Sequence, residues 1–184
     1  MNAPVDISNI RIETDRLILR PWRESDLDDF YEYARVDGVG QMAGWQPHET
    51  VEVSRNILSH FIENKRTFAL ELKENGKVIG SLGLESRADD ALIAPSLAGR
   101  EIGYVLSKDY WGRGLMPEAV KAVIKLCFQQ LGFDYLTVAH FTANNQSRQV
   151  IEKSGFSFLR EFRMENQDGT LLDERKYVIY DPNK

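Results

Sequence analysis

The sequence is poor in the residues that build disulfide scaffolds and metal sites. It has one cysteine, Cys127, among 184 residues, which excludes an intrachain disulfide and a site made of several thiolates. The three histidines, His48, His60 and His140, lack the mutual spacing of a metal-binding motif, so we expect no metal. A chain that needs no disulfide suits a reducing compartment, and we expect a cytoplasmic location.

Positive charge and long apolar runs are also scarce. The 23 Lys and Arg are outnumbered by 28 Asp and Glu, which gives a net charge of −5 at pH 7. Proteins that bind nucleic acid usually carry a basic patch, so we expect no nucleic acid partner. No stretch approaches about 18 apolar residues, and "MNAPVDISNI" lacks the basic start and apolar run of a secretion signal. We expect a soluble protein with no membrane partner.

The periodic segments predict one α/β domain over residues 1–184. A strand pattern, "RLILRPW", precedes two helical patterns, three strand patterns, a long amphipathic helix, a strand, a short helix and a final hairpin. We expect a single mixed, mostly antiparallel central sheet flanked by helices, with residues 1–9 frayed.

Turn and capping signals add local detail. Ser25 and Thr50 are predicted N-caps of the first two helices, and Gly155 is predicted to end the last one. Asn75-Gly76 and Asp168-Gly169 are predicted hairpin turns. The loop over residues 86–100 is long for a compact domain, and we expect it to be mobile, with a functional role as the alternative.

The segment "WGRGLM", Trp111–Met116, lies between a strand pattern and the long helix. A helix N-terminus offers unpaired amides and a partial positive charge, and glycines let an anion approach the main chain. The letters match neither a P-loop, which needs Gly-Lys-Ser/Thr, nor a dinucleotide fingerprint, whose third glycine is replaced by Pro117. By itself the hexapeptide is either a phosphate loop or an ordinary turn.

A second segment, "NNQSRQVIEKSGF", follows one helix and one strand later. Taken with "EIGYVLSKDYWGRGLMPEAV", it resembles the GNAT superfamily of acetyltransferases, in its branch of ribosomal-protein N-terminal acetyltransferases, which are RimJ/RimL-like. "ETDRLILRPWRESD" and "GWQPH" resemble that branch too, so the likeness spans about residues 11–180. It implies the acyl-CoA N-acyltransferase fold, with acetyl-CoA as co-substrate and a primary amine as acceptor. The acceptor expected first is the N-terminal α-amine of a protein or peptide, which attacks directly in a ternary complex.

The resemblance also implies residues that bind acetyl-CoA. Val105 and Leu106 are expected to pair their backbone with the pantetheine arm. Asn144 is expected to reach the pantetheine or the adjacent helix, and Lys153 the adenosine phosphates. Ser147 is also expected among the residues that bind the cofactor. The pyrophosphate is expected on main-chain amides of Trp111, Gly112, Arg113, Gly114, Leu115 and Met116. The family usually has Gln or Arg where Trp111 stands, and Gly or Ala where Met116 stands.

Acyl transfer to an amine requires an uncharged amine, a stabilised carbonyl oxygen and a proton for the departing thiolate. An α-amine has a pKa near 8, so a carboxylate acting through water would suffice as base. Glu101 is the first candidate and Glu165 its rival. The tyrosine that many superfamily members use as acid corresponds to Ile151 here, and the RimJ/RimL-like pattern suggests Ser147 instead.

Several alternatives stay open at this point. Trp45 and Glu101 are expected at the substrate site, with a packing role as the alternative for Trp45 and an exposed strand carboxylate for Glu101. The acceptor could instead be a small amine, such as a polyamine, an amino acid or an antibiotic, or the chain could be a non-catalytic acyl-CoA-binding module. We expect Cys127 in the core, His140 next to solvent, and either a monomer or a homodimer.

Overall fold

The computed structural model describes residues 1–86, 90–165 and 170–184, and within them it has eight strands and four α-helices. The strands are β1 (Ile12–Glu13), β2 (Leu17–Pro21), β3 (Thr67–Leu72), β4 (Val78–Glu85), β5 (Gly99–Leu106), β6 (Tyr135–Phe141), β7 (Ser157–Glu165) and β8 (Leu171–Tyr180). The helices are α1 (Leu27–Ala34), α2 (Val51–Asn64), α3 (Leu115–Gln129) and α4 (Asn145–Lys153).

The strands form one sheet in the order β1-β2-β3-β4-β5-β6-β8-β7. Antiparallel pairing joins β1 to β2, β2 to β3, β3 to β4, β6 to β8 and β7 to β8. Strands β5 and β6 run parallel over Gly99–Ile102 and Tyr135–Val138, because α3 lies between them in the chain and supplies the crossover that parallel strands need. The predicted mixed, mostly antiparallel sheet is confirmed.

The contacts divide the chain into two compact units. The first contains residues 1–4, 84–103 and 123–184, and its core includes Ile93, Tyr135 and Val178. The second contains residues 5–83 and 104–122, and aromatic side chains such as Trp22 and Phe30 form its core. That one domain carries the function stays a prediction.

The two predicted N-caps have different outcomes. The hydroxyl of Thr50 accepts a hydrogen bond from the amide of Val53 at 3.4 Å, as predicted for α2. The prediction for Ser25 was wrong, because a 3₁₀ turn precedes α1 and Asp26 is the N-cap. Both carboxylate oxygens of Asp26 lie 2.8 Å from the buried guanidinium of Arg20, and this ion pair holds Asp26 at the start of the helix.

The expectation that residues 1–9 are frayed was wrong. The side chains of Ala3 and Ile7 are buried, the amide of Ala3 donates to the carbonyl of Gly99 at 3.0 Å, and the amide of Ile7 donates to the carbonyl of Lys65 at 2.9 Å. Apolar burial and backbone pairing therefore order this segment, although its sequence has no periodic pattern. The predicted turn at Asp168-Gly169 and residues 87–89 of the long loop lie outside the described residues.

The two later helices match their sequence patterns. Met116, Val120, Val123 and Cys127 of α3 are buried, as the predicted apolar stripe requires. Leu131, also assigned to that stripe, lies beyond the end of the helix and is only half-buried. Helix α4 ends before Gly155, whose φ is 89°. Within the described ranges, no helix is both long enough and apolar enough to cross a membrane.

Candidate active site

The turn before α3 leaves its backbone accessible. Gly112 and Gly114 have φ angles of 74° and 76°, a left-handed conformation that glycine adopts without strain. A Cβ atom built on Gly112 would have no heavy atom within 4 Å, and one on Gly114 would lie 3.6 Å from Nη2 of Arg16. The main chain at this turn is therefore open to an incoming group, as close approach of an anion requires.

Helix α3 begins directly after these glycines. Its first two side chains, Leu115 and Met116, are buried, so only their backbone can serve a ligand. The first amides of a helix have no partner inside it and carry its positive partial charge. Pro117 lies in the first turn, where its missing N–H removes no intrahelical hydrogen bond. The turn and helix start thus fit the diphosphate of acetyl-CoA.

Arg16 contributes a second cation to this turn, and the sequence reasoning missed it. Its Nη1 donates to the carbonyl of Arg113 at 2.8 Å, and its Nε and Nη2 lie 2.8 and 2.7 Å from Oε2 of Glu118. Oε1 of Glu118 accepts from the hydroxyl of Thr14 and from the amide of Arg16. No motif indicates this contact, because its partners lie about a hundred residues apart in the chain.

The contacts of Glu118 affect its ionisation. Burial alone would raise the pKa of this carboxyl, but the hydrogen bonds from Thr14 and Arg16 and the charge of Arg16 outweigh burial and lower it. Glu118 is therefore ionised at neutral pH and holds the Arg16 side chain in place against the turn.

Trp111 connects the turn to the end of β5. Its indole Nε1 donates to the carbonyl of Leu106 at 2.8 Å. On the neighbouring strand, a Cβ atom on Gly80 would overlap the carbonyl oxygen of Val105, and the amide of Ser107 donates to the carbonyl of Ile79 at 2.7 Å. Trp111, which departs from the family pattern, thus attaches the turn to the backbone segment predicted to pair with pantetheine.

Glu101 lies on β5 opposite Thr137 of β6. Its Oε2 lies 3.3 Å from Nζ of Lys176 and 3.5 Å from the hydroxyl of Thr137. Only 13% of the Glu101 side chain and 6% of the Lys176 side chain are exposed. Glu101 is therefore a largely buried carboxylate in an ion pair, and not an exposed strand carboxylate.

Two more charged side chains, Asp90 and Arg160, continue the ion-pair network beyond Lys176. Its Nζ lies 4.0 Å from Oδ2 of Asp90, and that oxygen accepts from Nε of Arg160 at 2.6 Å. Burial would raise the pKa of Asp90, but hydrogen bonds from the Leu92 amide and from Arg160, with the charges of Arg160 and Lys176, lower it. We call Glu101, Lys176, Asp90 and Arg160 the charged cluster.

The N-x-x-S segment forms the start of α4. Asn144 is buried, and its Oδ1 accepts the amide hydrogen of Ser147 at 3.0 Å, which makes Asn144 the N-cap. Ser147 is half-buried and Ile151 is fully buried. Lys153 is exposed in the last turn of α4, and Glu165 is exposed at the end of β7. The roles of Asn144, Ser147, Lys153 and Glu165 at the site stay predictions.

Trp45 makes packing contacts. Its ring lies 5.0 Å from that of His48, and a Cβ atom on Gly40 would overlap it. The side chain also packs against the aromatic core of its unit. The described contacts thus account for Trp45 as a packing residue, and its role at the acceptor site stays a prediction.

Two remaining candidates are buried. The expectation that His140 lies next to solvent was wrong, because its Nδ1 lies 2.8 Å from the carbonyl oxygen of Phe141 and its Nε2 lies 3.3 Å from the hydroxyl of Tyr177. Burial is the largest effect on the pKa of His140 and lowers it. Cys127 is a core residue, as predicted, and burial raises the pKa of its thiol. Across the described ranges, no group of three or more His, Cys, Asp or Glu residues could hold a metal ion.

A family model described as the acetyltransferase (GNAT) domain matches residues 16–157. This chain belongs to the GNAT acetyltransferase family. Among curated relatives of this acetyltransferase, the uncharacterized N-acetyltransferase YoaA of Bacillus subtilis (strain 168) is 28% identical over 181 residues, which cover 94% of this chain and 98% of YoaA. The predicted family membership and enzyme class are confirmed.

Solved structures share the fold of this acetyltransferase. A GNAT-family acetyltransferase from Bacillus anthracis has a TM-score of 0.82 and 21% identity, covering 94% of this chain and 99% of its own. The ribosomal-protein-S5-alanine acetyltransferase from Vibrio fischeri has a TM-score of 0.74 and 21% identity, covering 95% and 98%. The microcin C7 self-immunity acetyltransferase MccE, in complex with acetyl-CoA and AMP, has a TM-score of 0.75 and 16% identity, covering 91% and 93%.

Proposed function

We propose that this acetyltransferase transfers the acetyl group of acetyl-CoA to a primary amine, and that its acceptor is the N-terminal α-amine of a protein or peptide. The observation that carries the proposal is the open left-handed backbone at Gly112 and Gly114, directly before a 15-residue helix. An anion at that position meets unpaired amides and the positive end of the helix.

The diphosphate binds main-chain amides of residues 111–116, and Arg113 and Arg16 add positive charge. The guanidinium of Arg113 lies 5.1 Å from the ring of Tyr110, a cation–π contact that restricts its position. The buried side chains of Leu115 and Met116 leave only their amides for this role. Met116 in place of the usual Gly or Ala is therefore compatible with binding.

The remaining parts of acetyl-CoA are assigned to backbone and to α4. Val105 and Leu106 pair with the pantetheine arm, and an amide there faces the thioester carbonyl. The carbonyl of Leu106 already accepts from Trp111, which orients this segment. Asn144 and Ser147 reach the pantetheine, and Lys153 reaches the adenosine phosphates.

The reaction is a direct attack in a ternary complex. The amine nitrogen forms a bond with the thioester carbonyl carbon, the C–S bond breaks, and coenzyme A leaves as the thiol. Glu101 takes the proton that the amine loses, directly or through one water, with Glu165 as the rival base. The hydroxyl of Ser147, or water, supplies the proton for the thiolate.

Two observations bear on the acceptor. The structural neighbour from Vibrio fischeri is named as a ribosomal-protein-S5-alanine acetyltransferase, which agrees with the motifs "GWQPH" and "ETDRLILRPWRESD". The neighbour MccE is a self-immunity acetyltransferase whose structure holds AMP, and it supports a small-molecule amine as the second candidate. A non-catalytic acyl-CoA-binding module is the remaining alternative. We expect cytoplasmic action, as a monomer or homodimer, with neither nucleic acid nor membrane as partner.

The test combines binding with turnover. Calorimetry with coenzyme A should show saturable binding, and thiol release from acetyl-CoA should respond to one class of amine in a panel of N-terminal peptides, polyamines, amino acids and aminoglycosides. Turnover on peptides that is lost when their N-terminus is blocked supports the α-amine. Turnover only on small amines would replace the first acceptor with the second, and binding without any turnover would favour the module.

A further inference from the structure

We propose that Lys176 is a positioning residue for the base Glu101, holding its carboxylate in one ionised orientation while Asp90 and Arg160 hold Lys176. This inference rests on the proposed function, because it gives Glu101 a catalytic task. It adds a residue that no sequence motif indicated, on β8, the last strand in chain order.

The geometry limits what the Glu101 carboxylate can do. Nζ of Lys176 lies 3.3 Å from Oε2, and the hydroxyl of Thr137 approaches the same oxygen at 3.5 Å. Both distances are to one of the two oxygens. Contacts from two strands, β6 and β8, restrict the orientation of the whole carboxylate. A base must meet its proton within hydrogen-bond reach, so this restriction bears on catalysis.

Because the ammonium group of Lys176 is buried, its ion pair with Glu101 is needed to offset the loss of hydration. The Lys176 side chain is 6% exposed, and taking an ammonium group out of water is costly unless acceptors surround it. Asp90, with a side chain 1% exposed, supplies a second carboxylate at 4.0 Å. Asp90 is itself held by Arg160 at 2.6 Å, so the ammonium is bracketed by two anions with defined positions.

The register of the sheet explains how these residues meet. Glu101 pairs with Thr137, and Thr137 lies two residues before Ala139, which pairs with Lys176. Since side chains alternate along a strand, Glu101, Thr137 and Lys176 share one face. Arg160 of β7 pairs with Lys176, which extends the row to the sheet edge.

Several charged groups bear on Glu101 besides Lys176. Glu174 lies two residues before Lys176 on the same face of β8, and it is buried. Glu85 of β4 reaches the same region, since its Cγ lies 3.6 Å from a Cβ atom built on Gly103. Thr137 of β6 and Lys176 of β8 contact Glu101 directly. The charged groups on the neighbouring elements are Glu174 of β8, Arg160 of β7, Asp90 before β5 and Glu85 of β4. Lys176 contacts Glu101, whereas Arg160 pairs with Asp90, so removing Lys176 takes away a positive charge in direct contact with the Glu101 carboxylate.

The charge of Lys176 affects whether the Glu101 carboxylate is ionised and can accept a proton. In the reaction, Glu101 accepts the proton of the amine, and Lys176 keeps its own. A nearby positive charge favours the ionised carboxylate, so Glu101 is ready to accept a proton at neutral pH. Without that charge, the ionised form of Glu101 is less favoured, and the carboxylate keeps its proton to a higher pH than in the wild type.

The test follows the titration of Glu101 directly. The chain is labelled with ¹³C at glutamate side-chain carboxyls, and the Glu101 signal is assigned by its loss in E101Q. In K176M we expect the midpoint of the Glu101 titration to move up by about one pH unit or more relative to wild type. In K176R, which keeps the charge, we expect little movement. The matched control is K77M, because Lys77 pairs with Glu32 at 2.6 Å on the surface and contacts nothing in the charged cluster.

Activity is the second measurement. With kcat/KM expressed per uncharged amine, so that protonation of the free substrate is removed, its acidic limb should move to higher pH in K176M by the same amount as the Glu101 signal. K77M should keep the wild-type profile. A purely structural role of Lys176 would lower activity equally at every pH. Should K176M fail to fold, K176Q, which keeps a donor amide, is measured with the same expectation.

The two proposals fail in different ways. An unchanged Glu101 titration in K176M or K176Q overturns the role of Lys176, whether or not the enzyme turns over. A titration that moves while the pH profile of activity does not would also overturn it, since Glu101 would then not be the base that Lys176 serves. Loss of coenzyme A binding in the wild type would instead remove the proposed function and leave the titration intact.

Discussion

Arg16 and Glu118 meet at the start of α3, where Nη2 of the arginine lies 2.7 Å from Oε2 of the glutamate. The same arginine donates to the carbonyl of Arg113 in the glycine turn. The Arg16 side chain therefore connects the segment before β2 to the turn proposed to bind a diphosphate.

Replacing Arg16 with Gln should weaken coenzyme A binding about tenfold, because the change removes a cation and a brace from the turn. The loss of global stability should stay below about 1 kcal/mol, since the pair is partly exposed. Calorimetry and thermal unfolding measure the two effects. The control is R11Q, which breaks an exposed pair with Glu13 that includes neither Glu118 nor a residue of the turn. Equal affinity in R16Q and wild type would remove Arg16 from the site.

The lowered pKa of Glu118 predicts a pH dependence of stability. Because the folded-state pKa lies below the ordinary value of 4.5, the stabilisation is complete above that value and is lost as the pH falls through the folded pKa. In E118Q this part of the acid sensitivity should be absent. Urea unfolding of both proteins between about pH 3 and about pH 7 would show the difference. Parallel curves for the two proteins would contradict the prediction.

Replacing Gly112 with Ala should abolish most coenzyme A affinity at a modest cost in stability. A residue with a Cβ atom at φ 74° is strained by about 1 kcal/mol, and relief of that strain turns the amides away from the diphosphate. Gly76 is a matched control, because its φ is 73° and a Cβ atom there also meets nothing within 4 Å. G76A should therefore lose similar stability and keep its affinity. The same affinity in both variants would place the diphosphate elsewhere.

Replacing Glu101 with Gln should lower kcat/KM about 100-fold near pH 6 and much less near pH 9. An α-amine with a pKa near 8 is already largely uncharged at the higher pH and needs the base less. Stopped assays of thiol release across this range measure the effect, and E165Q tests the rival base. A uniform loss across the range would take the base role from Glu101.

Substitutions at Asn144 and Ser147 should have different effects, because Asn144 caps α4 and Ser147 is the proposed acid. N144A should cost about 1 kcal/mol, because the amide of Ser147 loses its acceptor at the start of α4. S147A keeps that backbone hydrogen bond and should cost less stability than N144A, while kcat falls about tenfold. Unfolding and steady-state kinetics of both variants test this. A normal kcat in S147A would leave water as the acid.

The sequence reached the family and the order of elements because both depend on short local patterns. Thr50 capped its helix and Gly155 ended another as predicted, since such contacts involve neighbours in the chain. The prediction of Ser25 as the N-cap of α1 was wrong, because the buried guanidinium of Arg20 holds Asp26 at that position instead. The prediction that His140 lies next to solvent was wrong, because the residue pattern of a strand does not reveal which neighbour covers a side chain.

The sequence by itself determined the GNAT family, the mixed sheet and the glycine turn before α3, because motif spacing and hydrophobic period are local properties of the chain. Only the tertiary structure decided that Arg16 braces this turn and that Glu101 is paired with Lys176. Strand register and packing bring together residues dozens of positions apart, and the free energy of burying their charges depends on those contacts and not on the residue types alone.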